Sequence, residues 1–93
     1  MGILSEAVLN EQLAALDGWT RNGNELVKTF TLRNFPAAVA FVTQVGFLAE
    51  AMAHHPNIDI RYRRVTLTLS THDAGGLTEK DLVLARAVDG LAT

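Results

Sequence analysis

His54, His55 and His72 are the only histidines in the chain, and all three lie between Glu50 and Asp81. Imidazole gains or loses its proton near neutral pH, so three in one short stretch can supply both an acid and a base. Glu50 precedes His54 by four residues. On a helix that spacing puts their Cβ atoms about 5–6 Å apart on one face, where the carboxylate can orient the ring. His55 stands directly before Pro56, which disfavours further helix. His72 falls in the run Ser70-Thr71-His72-Asp73, at the end of a stretch with strand-like alternation.

Each residue also has a plain structural reading. Glu50 and His54 match a surface pair, and His54-His55 match cations favoured by a helix C-terminus. Taken alone, His72 reads as a solvated strand-end residue and Trp19 as a core aromatic. Asp81 takes the third position of a capping box opened by Thr78. Arg61, Arg63 and Arg64 suit a charged hairpin that blunts a sheet edge. Three imidazoles and a carboxylate could ligate zinc, although adjacent histidines at a helix end point in different directions.

Composition narrows the classes. The chain has 93 residues, read as one domain over 1–93, with no cysteine for disulfides or thiolate metal sites. A net charge of −2 offers no electrostatic footprint for nucleic acid. The N-terminus lacks the pattern of a signal peptide. The longest apolar stretches are interrupted by Thr43, Gln44 and Glu50, too early for a membrane span, so a cytoplasmic protein is expected. Apolar residues make up 48% of the chain, and surplus apolar faces on so small a domain point to subunit contacts.

The elements that must position these residues follow from periodicity. Leu9, Leu13 and Leu16 predict a first helix, capped by Ser5 or Asn10 and ended by Asp17-Gly18. Trp19 to Arg33 reads as a hairpin turning at Asn22-Gly23-Asn24. In its second strand Leu26, Phe30 and Leu32 share a face that Lys28 interrupts. Asn34 and Pro36 open a helix expected from Phe35 to about His54, apolar on both sides and therefore in want of two partners. Ile58, Ile60 and Tyr62, then Val65, Leu67 and Leu69, alternate as two half-buried strands with a turn at Arg63-Arg64. Leu84, Val88 and Leu91 form the stripe of the last helix. The order α-β-β-α-β-β-α predicts an α+β fold, a four-stranded antiparallel sheet with helices packed on one side.

The combination of Glu50, His54-His55-Pro56 and the run from Ser70 through His72 to Asp81 resembles the signature of the pterin-4a-carbinolamine dehydratases. Gly18-Trp19 and the element order fit as well, and the resemblance covers essentially the whole chain. It implies dehydration of a 4a-hydroxytetrahydropterin to a quinonoid dihydropterin, with no metal or organic cofactor. The substrate would come from an aromatic amino-acid hydroxylase, and the assembly would be a homodimer or homotetramer. His54, oriented by Glu50, would be the acid; His55 and His72 would share the base role. Ser70, Thr71 and Asp81 would help to bind the pterin, and Trp19 would offer it an aromatic wall. Some family members carry an aromatic residue shortly after His-His-Pro, where this chain has Asn57-Ile58-Asp59. The alternative is a non-catalytic dimerisation module of the same fold, since relatives act with a homeodomain transcription factor. Loss of water from a carbinolamine needs one proton given and one taken, and each such transfer is worth about 10²–10⁴-fold.

Overall fold

The computed structural model describes residues 2–92. Helix α1 (Glu6–Ala14) leads into strands β1 (Thr20–Asn22) and β2 (Glu25–Thr31). Helix α2 (Phe35–Ala51), strands β3 (Asn57–Arg61) and β4 (Arg64–Leu69), a 3₁₀ turn (His72–Ala74) and helix α3 (Glu79–Ala92) complete the chain. The predicted order and fold class hold. All strand pairs are antiparallel, in the spatial order β1-β2-β4-β3.

Register explains which face is covered. Leu26, Lys28 and Phe30 lie opposite Leu69, Leu67 and Val65, so all six side chains share one face of the sheet. Leu26, Val65, Leu67 and Leu69 are fully buried there, together with Phe41 and Val45 of α2 and Leu82, Leu84, Ala85 and Val88 of α3. The other face carries threonines; Thr29 and Thr66 join hydroxyls across the strands at 2.8 Å. Lys28 departs from the alternation because its cation has a partner. Its Nζ lies 2.9 Å from Asp89 of α3 and 4.8 Å from the centre of the Phe30 ring.

The first turn falls within the expected run, while one later turn and one strand differ from expectation. The first hairpin turns on Gly23-Asn24, with Gly23 at φ 62°. The second turns on Tyr62-Arg63, one residue earlier than expected, which leaves Arg64 inside β4. Tyr62 takes a left-handed φ of 55° there, so it ends the alternation and does not continue it. Strand β3 lies at the sheet edge. Ile58 and Ile60 point to the helix-covered face, opposite Leu67 and Val65, yet remain 39% and 38% exposed on this edge strand.

Asn34 caps α2 by accepting from the Ala37 N–H at 2.9 Å. The helix stops at Ala51, three residues short of the expected end. The Ala53 N–H donates to the Glu50 carbonyl and the His54 N–H to the Ala49 carbonyl, with Ala53 at φ 52°. This is a Schellman closure; it stops the helix before Pro56 has any say. The outer side of α2 leaves Phe35, Val39 and Phe47 exposed. Among the described residues, no helix is long and apolar enough to cross a membrane.

Candidate active site

The C-terminal end of α2, the end of β4 and the start of α3 meet at one end of the sheet. Because the Schellman closure reverses the chain at Ala53, His54 leaves the helix surface and turns inward. It is only 9% exposed. Its Nε2 lies 2.6 Å from Oδ1 of Asp81, which is fully buried. The expected partnership of His54 with Glu50 is therefore corrected: the four-residue rule needs both residues on a continuing helix, and the helix has ended. Glu50 instead meets His55, Nε2 to Oε1 at 2.8 Å, in an exposed pair. The reading of Glu50 and His54 as a surface pair falls for the same reason.

Asp81 is held from the other side by its own helix. Its Oδ2 accepts from the Thr78 backbone N–H at 3.0 Å and from the Thr71 hydroxyl at 2.7 Å. Thr71 and Thr78 also join hydroxyls at 2.8 Å. The capping-box reading of Asp81 thus holds, and the same carboxylate fixes an imidazole. An ionised carboxylate only accepts hydrogen bonds, so Nε2 of His54 carries a proton toward it. That leaves Nδ1 as the ring nitrogen free to exchange a proton with anything else.

His72 opens the 3₁₀ turn, which is closed by Gly75 at φ 76°. Its Nε2 lies 3.4 Å from the Ser70 hydroxyl. All three histidines line one cleft of about 230 Å³, together with Ser70 and Thr71. Asp73 and Lys80 also line it and went unnoticed as site residues in the sequence. A cue existed for Lys80: with Asp81 folded back on the helix start, the residue before it projects from another side of that first turn.

The remaining candidates are placed differently. Glu50 is exposed and does not line the cleft, and Asp81 lies behind His54 without reaching the cleft surface. Trp19 is not brought to the cleft. It is buried, its indole N–H donates to both carboxylate oxygens of Asp89 at 3.0 and 3.1 Å, and it meets Phe30 edge-on at 6.1 Å. Among the described residues, no group of three or more histidine and carboxylate side chains is gathered as metal ligands.

A buried carboxylate holding one imidazole, with two more imidazoles lining the same small cleft, is an arrangement able to move protons. Similarity to known proteins identifies the family. The family model described as pterin 4 alpha carbinolamine dehydratase matches residues 3–91. A Chloroflexus aurantiacus protein named provisionally as a pterin-4-alpha-carbinolamine dehydratase is 66% identical over 86 residues, covering 92% of each chain. The crystal structure of a transcriptional coactivator/pterin dehydratase from Brucella melitensis superposes with a TM-score of 0.95 at 36% identity, over 99% of this chain and 100% of that one. A pterin dehydratase-like protein identified as a RuBisCO assembly factor in the alpha-carboxysome matches with a TM-score of 0.66 at 28% identity, over 80% and 86% of the two chains. The chain belongs to the pterin-4a-carbinolamine dehydratase family.

Proposed function

We propose that the protein dehydrates a 4a-hydroxytetrahydropterin to the quinonoid dihydropterin by histidine acid–base catalysis. The observation that carries this is the convergence of His54, His55 and His72 on one cleft, with His54 backed by Asp81. His54 gives its Nδ1 proton to the departing hydroxyl, and the C–O bond breaks to release water. The electron pair of the adjacent N–H bond forms the new C=N bond, and His72 or His55 takes that proton. The Asp81 carboxylate supports this division, since by accepting from Nε2–H it fixes the ring and leaves Nδ1 as the nitrogen that exchanges a proton. Such a step belongs after an aromatic amino-acid hydroxylase, whose reaction leaves the hydroxyl on the pterin. The test is turnover of chemically generated carbinolamine, followed by ultraviolet absorbance. Native protein should exceed the spontaneous rate, and His54→Ala and His72→Ala should each lose about 10²–10⁴-fold. A native protein that adds nothing to the spontaneous rate would refute the proposal.

A second reading has its own support. Phe35, Val39 and Phe47 on α2, and Ile58 and Ile60 on the edge strand, form apolar surface that one copy of the chain does not cover. This surface favours a homodimer or homotetramer, and it would equally serve a protein-binding role like those in the names of the two structural relatives. Catalysis and such a role use different surfaces and can coexist.

A further inference from the structure

Edge protection accounts for Arg61, on the outer strand β3, but not for Arg64, whose strand β4 lies between β2 and β3. Arg64 stands opposite Thr31 on one side and Arg61 on the other. These three lie on the sheet face without helices, one row from the joined hydroxyls of Thr29 and Thr66. Two guanidiniums thus face each other across neighbouring strands, a like-charge pair that disfavours the sheet unless something negative joins them. Arg63 follows in the turn, and the Leu32 N–H donates to the Arg63 carbonyl, which brings Arg33 to the same end. Half of the chain's eight basic residues are therefore gathered there. Asp59 meets Arg61 at 3.1 Å in an exposed pair. Among the described residues, the side chains of Arg33, Arg63 and Arg64 have no hydrogen bond or ion pair. Thr31 and residues 61–64 line a hollow of about 610 Å³, within the roughly 300–1,000 Å³ of small-molecule sites. A strand rises about 3.3 Å per residue, so this hollow at Arg64 and the histidine cleft at Ser70 lie roughly 20 Å apart along β4.

We infer that this hairpin end is a second binding site, separate from the histidine cleft, for a small ligand carrying a diphosphate. Arginine forks match phosphate oxygens in pairs, and three guanidiniums around one hollow exceed what a single carboxylate can neutralise. The Thr31 hydroxyl adds a donor beside them. Tyr62, 72% exposed and held at a left-handed φ of 55°, presents its ring at the same hollow, where a flat group attached to the diphosphate can stack. Asp59 and Glu25 stand farther along the same face, so a long polyanion such as nucleic acid would run from the arginines onto carboxylates.

Inorganic pyrophosphate and adenosine diphosphate, titrated at low salt without added metal into the whole protein, are the probes. In nitrogen–proton NMR spectra the backbone signals of Thr31 and residues 61–64 should move with both, while that of His72 stays in place. Arg63→Gln and Arg64→Gln should each weaken both ligands about tenfold, the worth of one charge-assisted hydrogen bond. Each variant should unfold at or above the native urea concentration, since it removes a cation from a repulsive cluster. Tyr62→Asn suits the left-handed turn. It should weaken the nucleotide about threefold to tenfold and leave pyrophosphate within about twofold. A nucleotide indifferent to Tyr62→Asn would keep the diphosphate site and make the free anion its ligand. Signals that stay still, or that move at His72 instead, would overturn the inference. So would binding unchanged in both arginine variants, an arginine variant that unfolds early, or a polyglutamate peptide that binds more tightly than pyrophosphate.

Discussion

Replacing Asp81 by asparagine keeps the shape of the side chain and removes its charge. Two donors, the Thr71 hydroxyl and the Thr78 N–H, converge on Oδ2, while only His54 Nε2 meets Oδ1. The amide oxygen of the variant therefore stays with the two threonines, and its NH₂ faces the imidazole. An NH₂ group cannot accept from Nε2–H, so His54 must move its proton to Nδ1, and its doubly protonated form loses its partner. A charge-assisted bond worth about 1.5–3 kcal/mol gives way to a neutral one worth about 0.5–1.5 kcal/mol, a net loss of about 1–2 kcal/mol. For a domain of this size the melting temperature should fall by roughly 5–15 °C. Turnover should fall by about 10²–10⁴-fold, because the acid can no longer hold its proton against the carboxylate. Urea unfolding, carbinolamine turnover and nitrogen NMR of the His54 ring read the three effects. Turnover within about threefold of native, with the ring proton still on Nε2, would refute the reasoning.

His54→Ala and His55→Ala should separate the two carboxylate pairs. The first leaves Asp81 Oδ1 unpaired in the interior and costs about 1–3 kcal/mol in urea unfolding, whereas the second breaks an exposed pair and should stay within about 1 kcal/mol. Ala53→Gly should stabilise the protein by up to about 1 kcal/mol by the same measurement, since φ 52° suits glycine better than an L side chain. Phe47→Glu, at a residue 75% exposed, should shift sedimentation toward the monomer with turnover of any remaining folded species as the control. The Arg21 guanidinium hydrogen-bonded to Glu6 holds that carboxyl below the usual glutamate range. The tie between α1 and β1 is therefore complete above the ordinary glutamate pKa and is lost as pH falls through the depressed one. NMR titration of the Glu6 carboxyl in native protein and in Arg21→Gln should show the midpoint rise in the variant.

Much of the fold was legible because its signals are local. The alternation of Val65, Leu67 and Leu69 needs only a sheet with one covered face, and Asn34-Phe35-Pro36 needs only a helix start. Where the sequence misled, the cause lay in another element. Lys28 looks like a flaw in β2 until Asp89, on the last helix, is seen to hold its cation. Ile58 and Ile60 alternate as faithfully as the residues of β4, but alternation cannot say which strand lies at the edge. Tyr62 and Ala53 take left-handed backbone without the glycine that usually announces it, so one turn and one helix end were misplaced.

The Ala53 error matters most, because it reassigned the partner of His54. Spacing rules hold inside a helix, and three residues of missing helix turned an exposed pair with Glu50 into a buried one with Asp81. Yet the sequence contained half of the answer. A capping box requires the Asp81 carboxylate to bend back over the start of α3, where the Thr78 N–H takes one oxygen. The second oxygen is surplus to capping, and it is the one that His54 uses. Helix capping and the holding of an imidazole are thus the work of two oxygens of one group, neither of them the pterin-binding role expected of Asp81. A carboxylate fixed by helix capping is already oriented and already desolvated, so an imidazole delivered by the preceding helix meets a partner that needs no further ordering.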